Sequence, residues 1–278
     1  NLRPFCAGVH LCGLVGTDPH AAKLRDLLSV ERIATDALVA DPERPTIVKT
    51  RIVARQQQVV RVDREQRGVA SEASIDRACE AVTALIPSVD GVIFEDYGKG
   101  FLSQSLKDRV TAIAKNSGKF ISADPNPMNP LNWTGVDLLK PNRLEAFAMA
   151  GLRDPGATSD PLSDAALQMV GSQLLQKWNL PGLLVTLGEH GMILFQSNAA
   201  PLRDAKLRTR GGVRAFGGTR EQRVHVAQAD DRNWSFLVKH LTRCMRFCQI
   251  PFQKLKFALR LERLLAFSLC LCSVRYEW

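Results

Sequence analysis

Residues 91–124, GVIFEDYGKGFLSQSLKDRVTAIAKNSGKFISAD, read as strand, helix and strand, and this unit decides the fold class. Gly91-Val92-Ile93-Phe94 is a short continuous apolar run, the pattern of a strand covered on both faces. Ser103 is placed to cap a helix whose Leu106, Val110 and Ile113 share one stripe, and Gly118 marks its end. Phe120-Ile121-Ser122-Ala123 is the next apolar strand.

The same alternation continues on both sides. Before it, His10–Val15 reads as a strand and Pro19 to about Leu28 as a helix. A second helix runs from Glu72 to Ile86, with Ile75, Ala78, Cys79, Val82 and Ile86 on one stripe. After it come a strand over Val136–Leu139 and a helix from Asn142 to Ala150 that ends at Gly151. Ser163 is expected to cap a longer helix with Leu167, Val170, Leu174 and Trp178 inward. Strands over Gly182–Thr186 and Met192–Phe195 complete the pattern. Such alternation specifies an α/β fold, a three-layer αβα sandwich around a mostly parallel sheet.

Thr46–Asp63 departs from the pattern. It is rich in β-branched residues and alternates, with Val48, Thr50, Ile52 and Ala54 on one face, and Val60 and Val62 continuing after Gln56-Gln57-Gln58. This predicts a small antiparallel hairpin with one face exposed.

Beyond about Pro201 the order fails. Arg203, Lys206, Arg208, Arg210, Arg214, Arg220 and Arg223 fall in a stretch with no strand or helix period, broken by Gly211-Gly212 and Gly217-Gly218. Lys254–Leu271 is apolar enough for a helix but has no clean polar face. The sequence therefore divides into an α/β part, residues 1–200, and an irregular basic tail, residues 201–278. Out-of-frame or unrelated coding sequence is the simplest source of such a tail.

Charge follows the same division. The net +9 of the 278 residues is uneven: residues 1–200 hold 21 Lys+Arg and 22 Asp+Glu, a net of −1, while residues 201–278 hold 16 and 6, a net of +10. The basicity is no evidence of nucleic-acid binding by the first part, and it is the tail that a nucleic acid could bind through phosphate contacts. Cysteines are odd in number and irregular in spacing, which argues against a disulfide framework. His240, Cys244 and Cys248 are spaced for one helix face, but no fourth zinc ligand is evident. No signal peptide is read at the start, and the apolar stretch Leu264–Val274 is too short for a membrane span, which takes about 20 residues.

In an open α/β sheet, ligands bind beyond the carboxyl ends of the strands. Four such ends carry polar chemistry: Glu95-Asp96-Tyr97-Gly98-Lys99-Gly100, Asp124-Pro125-Asn126-Pro127, Lys140-Pro141-Asn142-Arg143-Leu144-Glu145, and Thr186-Leu187-Gly188-Glu189-His190-Gly191. Carboxylates there can hold hydrated Mg²⁺, Lys99 or Lys140 can neutralise phosphate, and a glycine turn lets backbone N–H groups approach phosphates. Each motif also has a plain reading. A Gly-x-x-Gly turn is most often only a turn, Asp124 can simply end a strand, and Asn142 with Glu145 can be an N-cap and its capping-box partner.

In this order the motifs resemble the ribokinase (PfkB) family of sugar kinases. Lys140–Glu145 matches that family's N-x-x-E motif, Leu184–Gly191 its T-x-G-x-x-G turn, and Leu14-Val15-Gly16-Thr17-Asp18 its early V-G-x-D element. Within the family the likeness is strongest to the kinases of D-glycero-β-D-manno-heptose 7-phosphate, the kinase half of bifunctional ADP-heptose synthases. Pro45–Asp63, Glu95–Gly100 and Asp124–Pro127 carry it, and it runs from about Gly8 to Pro201.

The resemblance implies a cytoplasmic, ATP- and Mg²⁺-dependent kinase in ADP-heptose supply for lipopolysaccharide core. On it, Asn142, Arg143, Leu144, Glu145, Thr186, Gly188 and Gly191 face the nucleotide, and Asp124 and Glu145 the Mg²⁺. Lys49, Arg51, Arg55, Asp96 and Lys99 face the sugar phosphate, with Lys49, Arg51 and Arg55 on one side of the hairpin. The hairpin becomes a lid over the sugar and a possible homodimer contact; no membrane partner is expected.

Two family elements are not found. A strand with a sugar-binding Asp and a Gly-Gly-Ala-Asn segment are expected to precede Asn1. The family's D-x-x-G-A-G-D string, whose last Asp is the general base, occurs nowhere in the sequence; Gly217-Gly218-Thr219-Arg220 is nearest and has an arginine where an acid is needed. No catalytic residue is therefore assigned, and weak or absent turnover is expected. The alternatives are a kinase for another sugar and a non-catalytic remnant that binds nucleotide or a partner.

Overall fold

The computed structural model describes residues 8–54, 57–158, 160–161 and 163–197, with the strand segments 213–216, 222–227 and 269–273. The chain forms two compact units, Asn1–Lys119 with Leu264–Trp278, and Phe120–Arg263.

In the first unit β1 (Gly8–Val15) pairs in parallel with β2 (Leu38–Ala40). Between them runs α1 (Pro19–Val30), started by Asp18, which accepts hydrogen bonds from the His20 and Ala21 N–H groups, with Pro19 in the first turn. Ala21, Leu24 and Leu28 of α1 pack on Leu11, Val15 and Leu38. Helix α2 (Glu72–Leu85) packs on β1 and β2, with α3 (Gln104–Asn116) beside it. Ser71 and Ser103 cap these two helices. Strand β5 (Gly91–Glu95) is buried throughout, as its apolar run requires. Burial pushes the Cys12 thiol of β1 up to about 12, with Cys79 of α2 adding to the shift, so these are inert core thiols.

The hairpin is present as β3 (Val48–Ala54) and β4 (Gln57–Arg64), an antiparallel sheet of its own with a register shift between Ile52 and Val53. The expectation of one covered face is corrected: Ile52, Val53, Val59, Val60 and Val62 are all exposed. Alternation shows that one face is apolar; it does not show that anything covers it.

In the second unit β6 (Phe120–Asp124), β7 (Leu138–Leu139) and β8 (Gly182–Thr186) are mutually parallel. Antiparallel β9 (Met192–Ser197) follows β8. Helices α4 (Arg143–Ala150) and α5 (Ala165–Trp178) pack together, and α5 lies on β8 and β9. Asp164, not Ser163, caps α5: its Oδ1 accepts from the Leu167 N–H at 3.0 Å, while the Ser163 hydroxyl donates to the Asp160 carbonyl.

Segments past residue 200 contribute strands that the sequence does not announce. β10 (Val213–Phe216) and β11 (Gln222–Ala227) extend the second sheet antiparallel beyond β9. β12 (Leu269–Ser273) lies between β1 and β5, antiparallel to both. This corrects the helix reading at the end of the Lys254–Leu271 run. A strand flanked on both sides reads as a short apolar run, which periodicity alone does not separate from a buried helix. β2 has only three residues and no period to detect. No helix among the described residues is long and apolar enough to cross a membrane.

The hairpin is rooted at the end of β1. The Gly16 N–H donates to the Thr46 hydroxyl at 2.9 Å, and the Thr46 N–H donates to Asp18 Oδ2 at 2.9 Å. A Cβ on Gly16 would meet the Arg44 carbonyl oxygen at 2.6 Å, so the close approach needs glycine. The Thr46 N–H, with the other donors, holds the Asp18 carboxyl below its usual range. Asp18 therefore adds stability above its unfolded value near 3.8, and the contribution is lost as pH falls through its lower folded value. Asp18→Asn is expected to be less stable at neutral pH and to lose less on acidification. Parallel acid titrations of both melting temperatures check this; identical slopes would refute it.

Candidate functional site

Three parallel strands leave their carboxyl ends on one edge of the second sheet, and each end carries a polar residue. β6 ends at Asp124, β7 runs into Lys140, and β8 ends at Thr186. The Lys140 N–H donates to the Ala123 carbonyl at 2.8 Å, and its ammonium pairs with Asp124 Oδ2 at 2.8 Å. Lys140 is buried at 8% exposure, so the pair is substantially desolvated on the lysine side. Pro141 cannot continue a ladder by donation; instead its carbonyl accepts from the Thr186 N–H at 3.0 Å, which ties Asn142 to Thr186.

Asn142 then starts α4 with a capping box. Its side chain accepts from the Glu145 N–H at 2.9 Å, and Glu145 Oε2 accepts from the Asn142 N–H at 2.7 Å. The plain reading of this pair is thus present. Glu145 is also electrostatically part of the strand-end cluster. Burial raises its pKa first and Asp124 adds to this, while the Asn142 N–H and Lys140 oppose it. After Thr186, a tight turn over 187–191 closes with the Leu187 N–H donating to the Gly191 carbonyl at 2.8 Å. Gly191 sits at φ 86°, where side chains are strained, and open space surrounds the Cβ position of Gly188.

This donor set fits a hydrated Mg²⁺. The Asp124 carboxylate opposes ionisation of Glu145 while the Lys140 ammonium favours it, and a divalent cation would relieve that repulsion. Mg²⁺ typically takes one or two carboxylates and leaves its other positions to water and phosphate. Among the described residues there is no group of three or more metal-ligating side chains. Asp124 and Glu145 would therefore hold the ion with much of its shell supplied from outside.

Two residues expected beside them are placed differently. The fork of Arg143 is occupied by Asp154, Asp164 and the Gly156 carbonyl, so the side chain faces the 152–164 segment rather than an open phosphate position. Leu144 is 70% exposed, and its side chain carries no polar group for phosphate or metal.

The first unit carries the residues expected to meet the sugar phosphate. Lys49 and Arg51 are exposed on β3 and stand opposite Asp63 and Arg61 of β4. Arg61 pairs with Asp63 at 3.0 Å, while Arg51 and Arg61 face each other as like charges. Arg55 lies outside the described residues. Asp96 is buried and accepts from the Gly98 N–H at 2.8 Å, shaping the loop after β5. The Lys99 ammonium pairs with Glu65 at 2.6 Å, so a substrate contact would have to share it. Lys99, followed by Arg67, holds the Glu65 carboxyl below its usual range. Glu65, Asp154 and Asp164 are not identifiable from sequence, because ion pairs across such separations have no periodic signature.

The pfkB family carbohydrate kinase profile matches residues 4–206. Among curated proteins, the chain is 32% identical over 203 residues to "Bifunctional protein HldE" of Desulfatibacillum aliphaticivorans, covering 73% of this chain and 40% of that protein. It is 35% identical over 206 residues to the protein of the same name from Gluconobacter oxydans, covering 74% and 41%. The chain thus spans about two fifths of the length of the curated relatives it matches. Ribokinase from Giardia lamblia aligns with a TM-score of 0.51 at 15% identity, over 74% of this chain and 60% of that one. Ribokinase of Arabidopsis thaliana, complexed with ribose and ATP, aligns at 0.50 and 13% identity, over 89% and 72%. At these identities the solved structures show the shared fold alone.

The cluster predicts opposite shifts in two variants. Asp124→Asn removes the neighbouring negative charge and is expected to lower the Glu145 pKa. Lys140→Met removes the opposing cation and is expected to raise it. Carbon-13 NMR titration of the Glu145 carboxyl checks both signs; shifts in the same direction would place Glu145 outside the cluster.

Proposed function

The chain belongs to the pfkB family of carbohydrate kinases, and on that footing we propose that its reaction is transfer of the terminal phosphoryl of ATP to the anomeric hydroxyl of D-glycero-D-manno-heptose 7-phosphate. The observation that carries this reading is the strand-end cluster of Asp124, Lys140, Asn142, Glu145 and Thr186. Phosphoryl transfer is mostly positioning and charge neutralisation, and this cluster supplies both. Lys140 offers a desolvated ammonium, Asp124 and Glu145 hold Mg²⁺, and the 187–191 turn offers backbone to phosphate oxygens. Bound Mg²⁺ would supply further neutralisation of the phosphate charge.

On the sugar side, Lys49, Arg51 and Arg55 are assigned to the 7-phosphate. Arg51 facing Arg61 supports this, since a dianion turns a repulsive cross-strand pair into a receptor. Asp96 and Lys99 are assigned to the sugar through the loop they order. The setting is cytoplasmic, in ADP-heptose supply.

Turnover is weak in this reading, because the sequence lacks the family's D-x-x-G-A-G-D string and its general base. A general base alone contributes about 10²–10⁴-fold. The same absence favours a second reading, a remnant that binds nucleotide without catalysis. Both are tested on the full chain by thermal shift with Mg·ATP and by coupled ADP release with heptose 7-phosphate and with unphosphorylated heptose. Saturable stabilisation by Mg·ATP is expected, with slow ADP release that requires the 7-phosphate. Ordinary kinase rates of about 1–100 s⁻¹ would overturn the weak-activity reading. No stabilisation would overturn nucleotide binding, and equal use of both sugars would remove the lid assignment.

The exposed aliphatic face of the hairpin also supports a homodimer through the lid, because an isolated two-stranded hairpin is marginal by itself. Ile52→Asp is expected to shift sedimentation velocity from dimer to monomer. A wild-type monomer at tens of micromolar would exclude this contact.

A further inference from the structure

We propose that Arg143 is a positioning residue for the phosphate-side carboxylate Glu145, fixing the first turn of α4 through an ion-paired clamp on the 152–164 segment. The inference rests on the nucleotide-binding reading above and adds a residue whose side chain points away from the cluster.

Arg143 is the first residue of α4, between Asn142 and Glu145. Its Nε donates to both Asp154 oxygens at 3.0 Å, and one terminal nitrogen donates to Asp164 Oδ2 at 2.7 Å. The other terminal nitrogen donates to the Gly156 carbonyl at 2.7 Å, and the guanidinium lies 4.8 Å from the centre of the Phe147 ring. Side-chain exposure is 12% for Arg143, 16% for Asp154 and 3% for Asp164, so the clamp is largely dehydrated. A planar fork holding two carboxylates in this way fixes direction as well as distance.

Both carboxylates have a second task. Asp164 Oδ1 caps α5 through the Leu167 N–H, and Asp154 Oδ1 accepts from the Gly156 N–H at 3.0 Å. One guanidinium therefore joins the starts of α4 and α5 and the loop between them. The other end of α4 is tied separately: Lys177 donates to the Met149 carbonyl at 3.0 Å and Gln173 to the Ala150 carbonyl at 2.9 Å. Helix α4 is eight residues long, below the ~12–15 that hold helix by themselves, so its placement comes from these ties. Without Arg143 the first turn keeps the Pro141–Thr186 backbone hydrogen bond at its entry and the carboxyl-terminal tie at its far end, but loses its side-chain anchor and can rotate between them. Glu145 would swing with it, because its carboxylate is bound to the Asn142 N–H within that turn. Its separation from Asp124 and Lys140, and with it the site for a divalent cation, would then be lost.

The test is Mn²⁺ binding to the full chain in the presence of a non-hydrolysable ATP analogue, read by electron paramagnetic resonance, with circular dichroism and melting temperature in parallel. Loss of an outer partner typically costs 10–100-fold in metal affinity. Arg143→Met is expected to weaken Mn²⁺ by about that factor while the α/β spectrum persists, with Arg143→Lys in between. Asp154→Asn, which leaves the α5 cap in place, is expected to weaken Mn²⁺ less, and the Arg143→Met/Asp154→Asn pair no more than Arg143→Met alone. If wild type and Arg143→Met bind Mn²⁺ equally and only the melting temperature falls, the clamp is structural and the inference fails while nucleotide binding stands. If wild type itself binds no Mn²⁺ with the analogue, the nucleotide reading fails and takes the inference with it. Should Arg143→Met not fold, Asp154→Asn decides: unchanged Mn²⁺ affinity overturns the proposal.

Discussion

Parallel pairing of β6, β7 and β8 is the constraint on which the strand-end cluster depends. It sets Asp124, Lys140 and Thr186 at one edge, although sixteen and forty-six residues separate them along the chain. Helices elsewhere could change length without moving these residues; a change in strand register could not. Once Lys140 is buried there, it needs a counter-charge, since an uncompensated buried ammonium is costly. Asp124 supplies one, and Glu145 is brought alongside by the turn that Pro141 and Asn142 enforce. The result is a small site of mixed charge in which Asp124 and Lys140 act in opposite directions on Glu145.

The first unit is organised by a different device. The end of β1, the start of α1 and the entry to the hairpin share one set of hydrogen bonds centred on Asp18, Gly16 and Thr46. The hairpin is held at its root and open along both faces. Its neighbouring loops are held in turn: Arg44 donates to the Val69 carbonyl at 2.8 Å, and the Ala70 N–H donates to the Gly100 carbonyl at 2.8 Å.

Local chemistry makes most of the elements legible in the amino-acid sequence. Ser71, Ser103 and Asn142 cap helices because their side chains reach the third N–H beyond, a contact encoded within four residues. The same logic fails at α5 because Ser163 and Asp164 are adjacent and both able to cap. Asp164 prevails through its second partner, Arg143, from a helix earlier in the chain. β2 and β12 escape for the opposite reason. They are strands by virtue of their neighbours, and a three- or five-residue apolar run has no period of its own.

By itself the sequence determined the α/β class, the antiparallel hairpin, the family and the residues at the strand ends, because each is written in spacing over a few residues or in a contiguous motif. Tertiary structure alone decided which of those residues act together. It paired Lys140 with Asp124, turned Arg143 toward Asp154 and Asp164, gave Lys99 to Glu65, and drew strands from beyond residue 200 beside β9 and β5. The physical reason is the same in each case. Charge pairing and strand pairing depend on distance in space, and the pattern along the chain does not specify it.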